Sequence, residues 1–186
     1  MRMLFQRAIA LDARYADAYV GLGLSYRGAI MLGWLPDARD ALKKAEEAAR
    51  EAIRLDDRNS RAYALLGRIL VLREEFDQAN AASQRAIALN PSDAEGYLGY
   101  SAVLLWSGDT AGAIEALETA RAYDGTLDIE STFNLAMAYY LLDRPADVIA
   151  YVEGTVGRRG QTVFTHVVLS MAYAELGKLE QAQEVV

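Results

Sequence analysis

Cysteine is absent from this chain of 186 residues, histidine occurs once and proline three times. Without cysteine there is no disulfide and no thiolate metal site. That absence leaves both cytoplasm and periplasm open, and we expect a cytoplasmic protein. With His166 as the sole imidazole, zinc sites of the usual composition are out of reach. No run of 18 apolar residues occurs, so no membrane span is expected. The opening MRMLFQRAIALD has a short, interrupted apolar stretch and no cleavage-like end, unlike a signal peptide. Positive charge is also short: 19 basic residues face 26 acidic ones, a net charge of −7. Such a chain is not expected to bind nucleic acid through its phosphates. Arg158–Arg159 is the one notable basic pair, and a solvated loop accounts for it.

What is present is alanine and other good helix formers, in a chain that is 53% apolar, which points to an all-helical protein with a core. The apolar residues recur with a period near 34. Numbering each repeat from one, units start at Ala16, Ser60, Ala94, Ile129 and Val163, spaced by 44, 34, 35 and 34 residues. Position 4 reads Tyr19, Tyr63, Tyr97, Thr132, His166, and position 7 reads Leu22, Leu66, Tyr100, Leu135, Leu169. Position 8 is small (Gly23, Gly67, Ser101, Ala136, Ser170) and position 11 large (Tyr26, Leu70, Leu104, Tyr139, Tyr173). The i, i+3, i+4, i+7 spacing puts all four on one face of a first helix.

A second helix repeats the logic with small residues at position 20 (Ala45, Ala79, Ala113, Val148, Ala182) and position 27 (Ala52, Ala86, Ala120, Thr155). Small side chains let helix axes approach, and the large residues fill the flanks. Asn90-Pro91-Ser92-Asp93 is the clearest stop and restart, with Ser92 or Asp93 as its cap. Gly125 and Gly160 occupy the same stop position in the next two units. Ser107-Gly108-Asp109 and Leu176-Gly177-Lys178 are short turns within units, making their helices antiparallel neighbours.

The first unit is about ten residues too long, with the excess between Tyr26 and Ala45. The pattern predicts a first helix to about Leu32 and a turn at Gly33–Pro36. A second helix of about 20 residues comes next, with Pro36 in its first turn. Trp34 falls in the turn between them, either covering the lengthened pair or standing out as an anchor for a partner. The ends are incomplete units: Leu4–Leu11 reads as a lone second helix, and Val186 falls in mid-helix. Arrays of this kind end in polar capping helices, so the segment is expected to be cut from a longer chain.

No catalytic set emerges. His166 occupies a packing position, and Glu46–Glu47 and Glu74–Glu75 sit beside basic residues as solvated ion-pair surfaces. The Gly157–Gly160 stretch holds two arginines but no phosphate-loop motif. We therefore expect no enzyme activity, no metal and no cofactor.

The repeated columns resemble the tetratricopeptide repeat, a helix–turn–helix module of 34 residues. The resemblance implies an all-α, right-handed superhelical solenoid of antiparallel helix pairs, about eleven helices in all. It implies a single array over residues 1–186: a leading second helix at 2–13, then repeats at 16–59, 60–93, 94–128, 129–162 and an incomplete 163–186. Position 24, bulky in the family, is Ala49 and Ser83 in two units, and the fourth unit ends in a loose TVGRRG run that implies a short second helix.

In the family, first helices line a concave groove through positions 2, 5, 9, 12 and 13, where peptides or helices of partners dock. Carried over, these positions make Arg61, Arg68, Glu95, Leu98, Trp106, Phe133, Met137, Tyr140, Phe164 and Met171 the candidate partner-binding groove. Arg61 and Arg68, two turns apart, can grip an acidic group, while the groove from Leu98 onward suits an apolar peptide or an amphipathic helix. Its occupant can be a protein partner, missing C-terminal helices of the same chain, or another copy in a homo-oligomer. The Lys/Asn/Arg set of chaperone-binding relatives is not matched by Val20, Gly21, Leu24, Ala64 and Leu65. The texture of the repeats also resembles repeat regions of bacterial multidomain regulators, nucleotide-cyclase or winged-helix in type. That alternative makes the segment a regulatory arm.

Overall fold

The computed structural model of the chain describes every residue except Leu35, Thr126, Asp128, residues 157–161 and Val186. Arg158–Arg159, the Gly157–Gly160 stretch and the side chain of Thr155 thus lie outside the described residues. The described residues form eleven α-helices and no strand. They are α1 (Arg2–Leu11), α2 (Ala16–Met31), α3 (Ala38–Leu55), α4 (Ser60–Leu72), α5 (Phe76–Leu89) and α6 (Ala94–Trp106). Beyond them lie α7 (Thr110–Asp124), α8 (Ile129–Leu141), α9 (Pro145–Ile149), α10 (Val163–Glu175) and α11 (Leu179–Val185). A π-helical stretch, Ala150–Val156, prolongs α9, so the second helix of that unit is α-helical for only five residues. None of the described helices is long and apolar enough to cross a membrane.

Contacts divide the chain into two units, residues 1–103 and 104–186, with the boundary inside α6. In unit 1, α2 pairs with α3 and α4 with α5, while α1 lies on α2. Buried alanines at the pair contacts (Ala45, Ala49, Ala52, Ala79, Ala82) bring the axes close, and Leu65, Leu66, Ile69 and Leu70 fill the space beside them. Ser83, anomalously small for its position, is explained here. A Cβ on Gly67 of α4 would lie 2.4 Å from Ser83 Oγ, and one on Gly99 of α6 would lie 2.9 Å from it. Helix α5 is thus wedged between two bare stretches of backbone, where a bulky residue has no room.

Caps and ion pairs hold the registers of unit 1. The Asn59 side chain accepts from Ala62 N at the start of α4 and donates to Asp17 Oδ1 of α2 at 2.9 Å. Arg73 joins α3 to the α4–α5 turn, with Nη1 2.6 Å from Glu46 and Nε 2.7 Å from Glu75. Of the two caps considered for α6, Asp93 takes the role by accepting from Glu95 N at 3.1 Å. The expectation for Pro36 is corrected. Helix α3 begins two residues later, at Ala38, and Asp37 caps it by accepting from Asp40 N. A carboxylate satisfies an orphan N–H there, which proline in the first turn only tolerates.

Unit 2 is built the same way. The last turn of α6 packs through Leu104 and Leu105 on Ala113 and Ile114 of α7 and on Ala138 of α8. Helix α8 contacts α7, α9 and α10, and α10 pairs with α11. Val148 of α9 and Tyr151 and Val152 of the π stretch keep one buried face. Asp109 caps α7, and Thr162 forms a capping box with Thr165 at the start of α10.

The turns inside the helix pairs share a device that the repeat length makes visible. Gly33, Glu74, Gly108, Asp143 and Gly177 all have positive φ, between 57° and 92°. Three are glycines, and Glu74, at 62°, bears the Cβ penalty of a left-handed residue. Glu74→Gly is therefore expected to stabilise the fold by about 0.5–1 kcal/mol, the relief being partly offset by glycine's greater freedom when unfolded. Urea titration of the pair of proteins checks it, and an equal or lower midpoint for the variant contradicts it.

Candidate functional site

The ten groove candidates fall into two groups with different surroundings. Arg61, Arg68, Glu95 and Leu98 belong to unit 1, and Trp106, Phe133, Met137, Tyr140, Phe164 and Met171 to unit 2.

In unit 1 the expected pair of gripping cations does not form. Arg61 is exposed, but Arg68 is only 2% exposed, with Nη1 3.2 Å from Glu95 Oε2. The reason lies in the packing of successive first helices. Glu95, 27 residues away on α6, is brought against α4, and its carboxylate, itself 40% exposed, pairs with the buried guanidinium. Leu98 is buried as well, as are Val20, Ala64 and Val71 at equivalent positions. The inner face of unit 1 is thus largely filled by its own helices, and Arg68 contributes to cohesion there. Trp34, by contrast, is 74% exposed, so it does not cover the lengthened α2–α3 pair.

In unit 2 the same positions stay accessible. Phe133 on α8 and Phe164 on α10 hold their rings 5.9 Å apart at 60°, which sets the two helices side by side. Met137 and Tyr140 continue along α8 at half-buried positions, with Leu141 57% exposed beyond them. Val167 and Met171 come after Phe164 at helical spacing on α10 and are exposed. Trp106, at the end of α6, is 60% exposed, while its neighbour Leu105 is buried against Ala138 of α8. Four aromatic side chains, two methionines and two aliphatic ones are therefore half-buried or exposed on three first helices. Single exposed apolar residues need no explanation, whereas several on neighbouring helices form a larger accessible apolar surface.

A second feature of unit 2 lies among α10, α11 and the π stretch. An open cavity of about 700 Å³ is lined by Glu153, His166, Leu169, Tyr173, Gln181 and Glu184, among others. The Tyr173 hydroxyl donates to Glu153. That bond to a carboxylate, helped by burial and the nearby charge of Glu184, pushes the phenol up to about 12. Burial raises Tyr139 and Tyr151 as well. Sequence reading placed His166 and Tyr173 at packing positions, and nothing in their spacing announced this cavity. It forms because α11 and the π stretch are brought together only in the folded unit. No group of three or more residues fit to hold a metal ion occurs among the described residues.

The raised phenol has a consequence for stability. The folded state favours the protonated hydroxyl that donates to Glu153, so the stabilisation is complete below about pH 10, the ordinary tyrosine value. It is lost as the pH rises through about 12. Thermal melts should therefore show a loss between these values that Tyr173→Phe lacks. Parallel alkaline slopes for both proteins would contradict the bond.

Residues 70–132 match the family model of the tetratricopeptide repeat. No match is found among curated proteins. Among solved structures, the chain is similar to TTC0263, a thermophilic tetratricopeptide repeat protein of Thermus thermophilus. The TM-score is 0.71 at 20% identity, over 93% of this chain and 89% of that one. It is similar to pilF of Pseudomonas aeruginosa, with a TM-score of 0.70 at 20% identity, over 91% and 72% of the two chains. It is also similar to YrrB, a repeat protein described as having an unusual peptide-binding site, with a TM-score of 0.57 at 18% identity, over 100% and 90%. At these identities the likeness establishes the fold.

Proposed function

We propose that this chain, which matches the tetratricopeptide repeat model over residues 70–132 and shares the fold of solved repeat proteins, is a protein-binding scaffold with no catalysis of its own. Its partner docks as a peptide or helix on the accessible first-helix side of unit 2. The observation that carries this reading is the exposed cluster of Trp106, Leu141, Phe164, Val167 and Met171 on three first helices, next to the paired rings of Phe133 and Phe164. Aromatic and methionine side chains bury much apolar area on docking and adapt to the shape of a helix or extended strand. The peptide-binding site named for YrrB lends general support. Unit 1 serves mainly to support, since Arg68 and Leu98 at the corresponding positions are buried.

The test compares proteins captured from native lysate by the parent chain and by a Trp106→Ala, Phe164→Ala, Met171→Ala variant, with Arg61→Ala as a control in unit 1. The three truncated side chains are exposed, so the variant is expected to keep its helical circular dichroism. A partner held by the parent and the control but lost by the triple variant supports docking in unit 2. A partner held equally by all three places binding elsewhere, with Trp34 the next surface to alter.

A further inference from the structure

The net charge of the protein is not shared between its two units. Unit 1 holds 14 acidic and 14 basic residues, a balance of zero. Unit 2 holds 12 acidic and 5 basic residues, a balance of −7, which is the whole of the chain's net charge. The described basic side chains of unit 2 are moreover already engaged. Arg121 pairs with Glu118 at 2.5 Å, Arg144 pairs with Asp147 at 2.7 Å, and Lys178 lies over the Tyr173 ring. The exposed apolar cluster thus sits on the unit that carries the chain's net negative charge.

From this we infer that the partner segment of unit 2 is a basic amphipathic helix, apolar on one side and rich in lysine or arginine on the other. The inference rests on the docking reading above and adds the chemistry of the ligand. An apolar surface alone does not choose between an acidic, a neutral and a basic amphipathic segment. A surplus of carboxylates on the same unit does, because like charges brought near it repel while opposite charges steer encounter and select orientation. The same surplus disfavours a second copy of unit 2 as occupant, since two copies of that unit would meet with like net charge. It disfavours anionic lipid and nucleic acid for the same reason.

The experiment uses the full chain with Trp34→Phe, which leaves Trp106 as the reporting indole, since the sequence has two tryptophans. Two synthetic helices are titrated, identical in their leucine face, one carrying lysine and the other glutamate on the polar face. The lysine helix should bind with a blue shift of Trp106 emission, at least about tenfold tighter than the glutamate helix at low salt. The gap should shrink toward unity near 1 M salt, where screening acts over about 3 Å. A Phe164→Ser, Met171→Ser variant in the same background should lose the shift and weaken the lysine helix at least about tenfold. Equal affinity for both helices overturns the basic partner while leaving the apolar docking surface standing. Lysine-helix binding that is unchanged in the serine variant also overturns the proposal, as charge attraction without docking. Binding of neither helix sinks the proposal and the docking reading together. Light scattering in the same samples would then show whether a second copy covers the surface.

Discussion

Gly67→Leu is expected to destabilise unit 1 by about 2–3 kcal/mol, the usual range for overpacking a close helix contact. The structure gives the cause atom by atom. A Cβ at residue 67 would lie 2.4 Å from Ser83 Oγ, 3.2 Å from the Ala79 carbonyl oxygen and 3.4 Å from Ser83 N. Two of these three are backbone of α5 and cannot rotate away, so the α4–α5 pair must open. The clash also predicts a coupling. Gly67→Ala should cost less in a Ser83→Ala background, because the nearest atom is then gone, and because Ser83 Oγ is buried without a hydrogen-bond partner in the parent. Chemical denaturation of the four proteins of the cycle measures this. Additive effects, or a melt for Gly67→Leu within error of the parent, would show that the helix contact is looser than described.

Leu135→Ala is expected to cost about 3 kcal/mol, within the range measured for emptying a fully buried leucine site. Leu135 has no exposed surface and stands on α8, which is flanked by α7, α9 and α10. Its removal should therefore loosen unit 2 first. Stability in a repeat array is a sum of local terms and nearest-neighbour contacts, so the loss need not reach unit 1. Native-state hydrogen exchange distinguishes the regions: protection should fall in α8 and α10 while Leu65, Ile69 and Leu70 of α4 keep theirs. Uniform loss of protection over the whole chain would instead show one cooperative block. The pair of variants thus probes the two units separately, Gly67 in one and Leu135 in the other.

The helices were legible from local pattern. The spacing of Tyr63, Leu66, Gly67 and Leu70 marks one helical face wherever it occurs, because 3.6 residues per turn brings those positions into line. The same regularity located the lengthened first unit and the turn near Gly33, since a period is broken visibly by an insertion. The TVGRRG run that prompted the expectation of a short second helix in the fourth unit lies mostly outside the described residues, and the widening of α9 to a π stretch was not foreseen. That widening answers to how Val148, Tyr151 and Val152 find a common buried face.

The sequence by itself determined the all-helical repeat, the small-residue contacts and the candidate groove positions on the first helices. Only the tertiary structure decided which of those residues are within reach of a partner. Arg61 and Arg68 are equivalent by helical spacing, yet one is exposed and the other buried against Glu95. Phe133 and Leu98 are both inner-face residues, yet the first meets Phe164 at an accessible surface and the second is covered. Periodicity reports the direction of a side chain from its own helix axis. Exposure depends on how close the next helix comes, which is a sum over contacts tens of residues away.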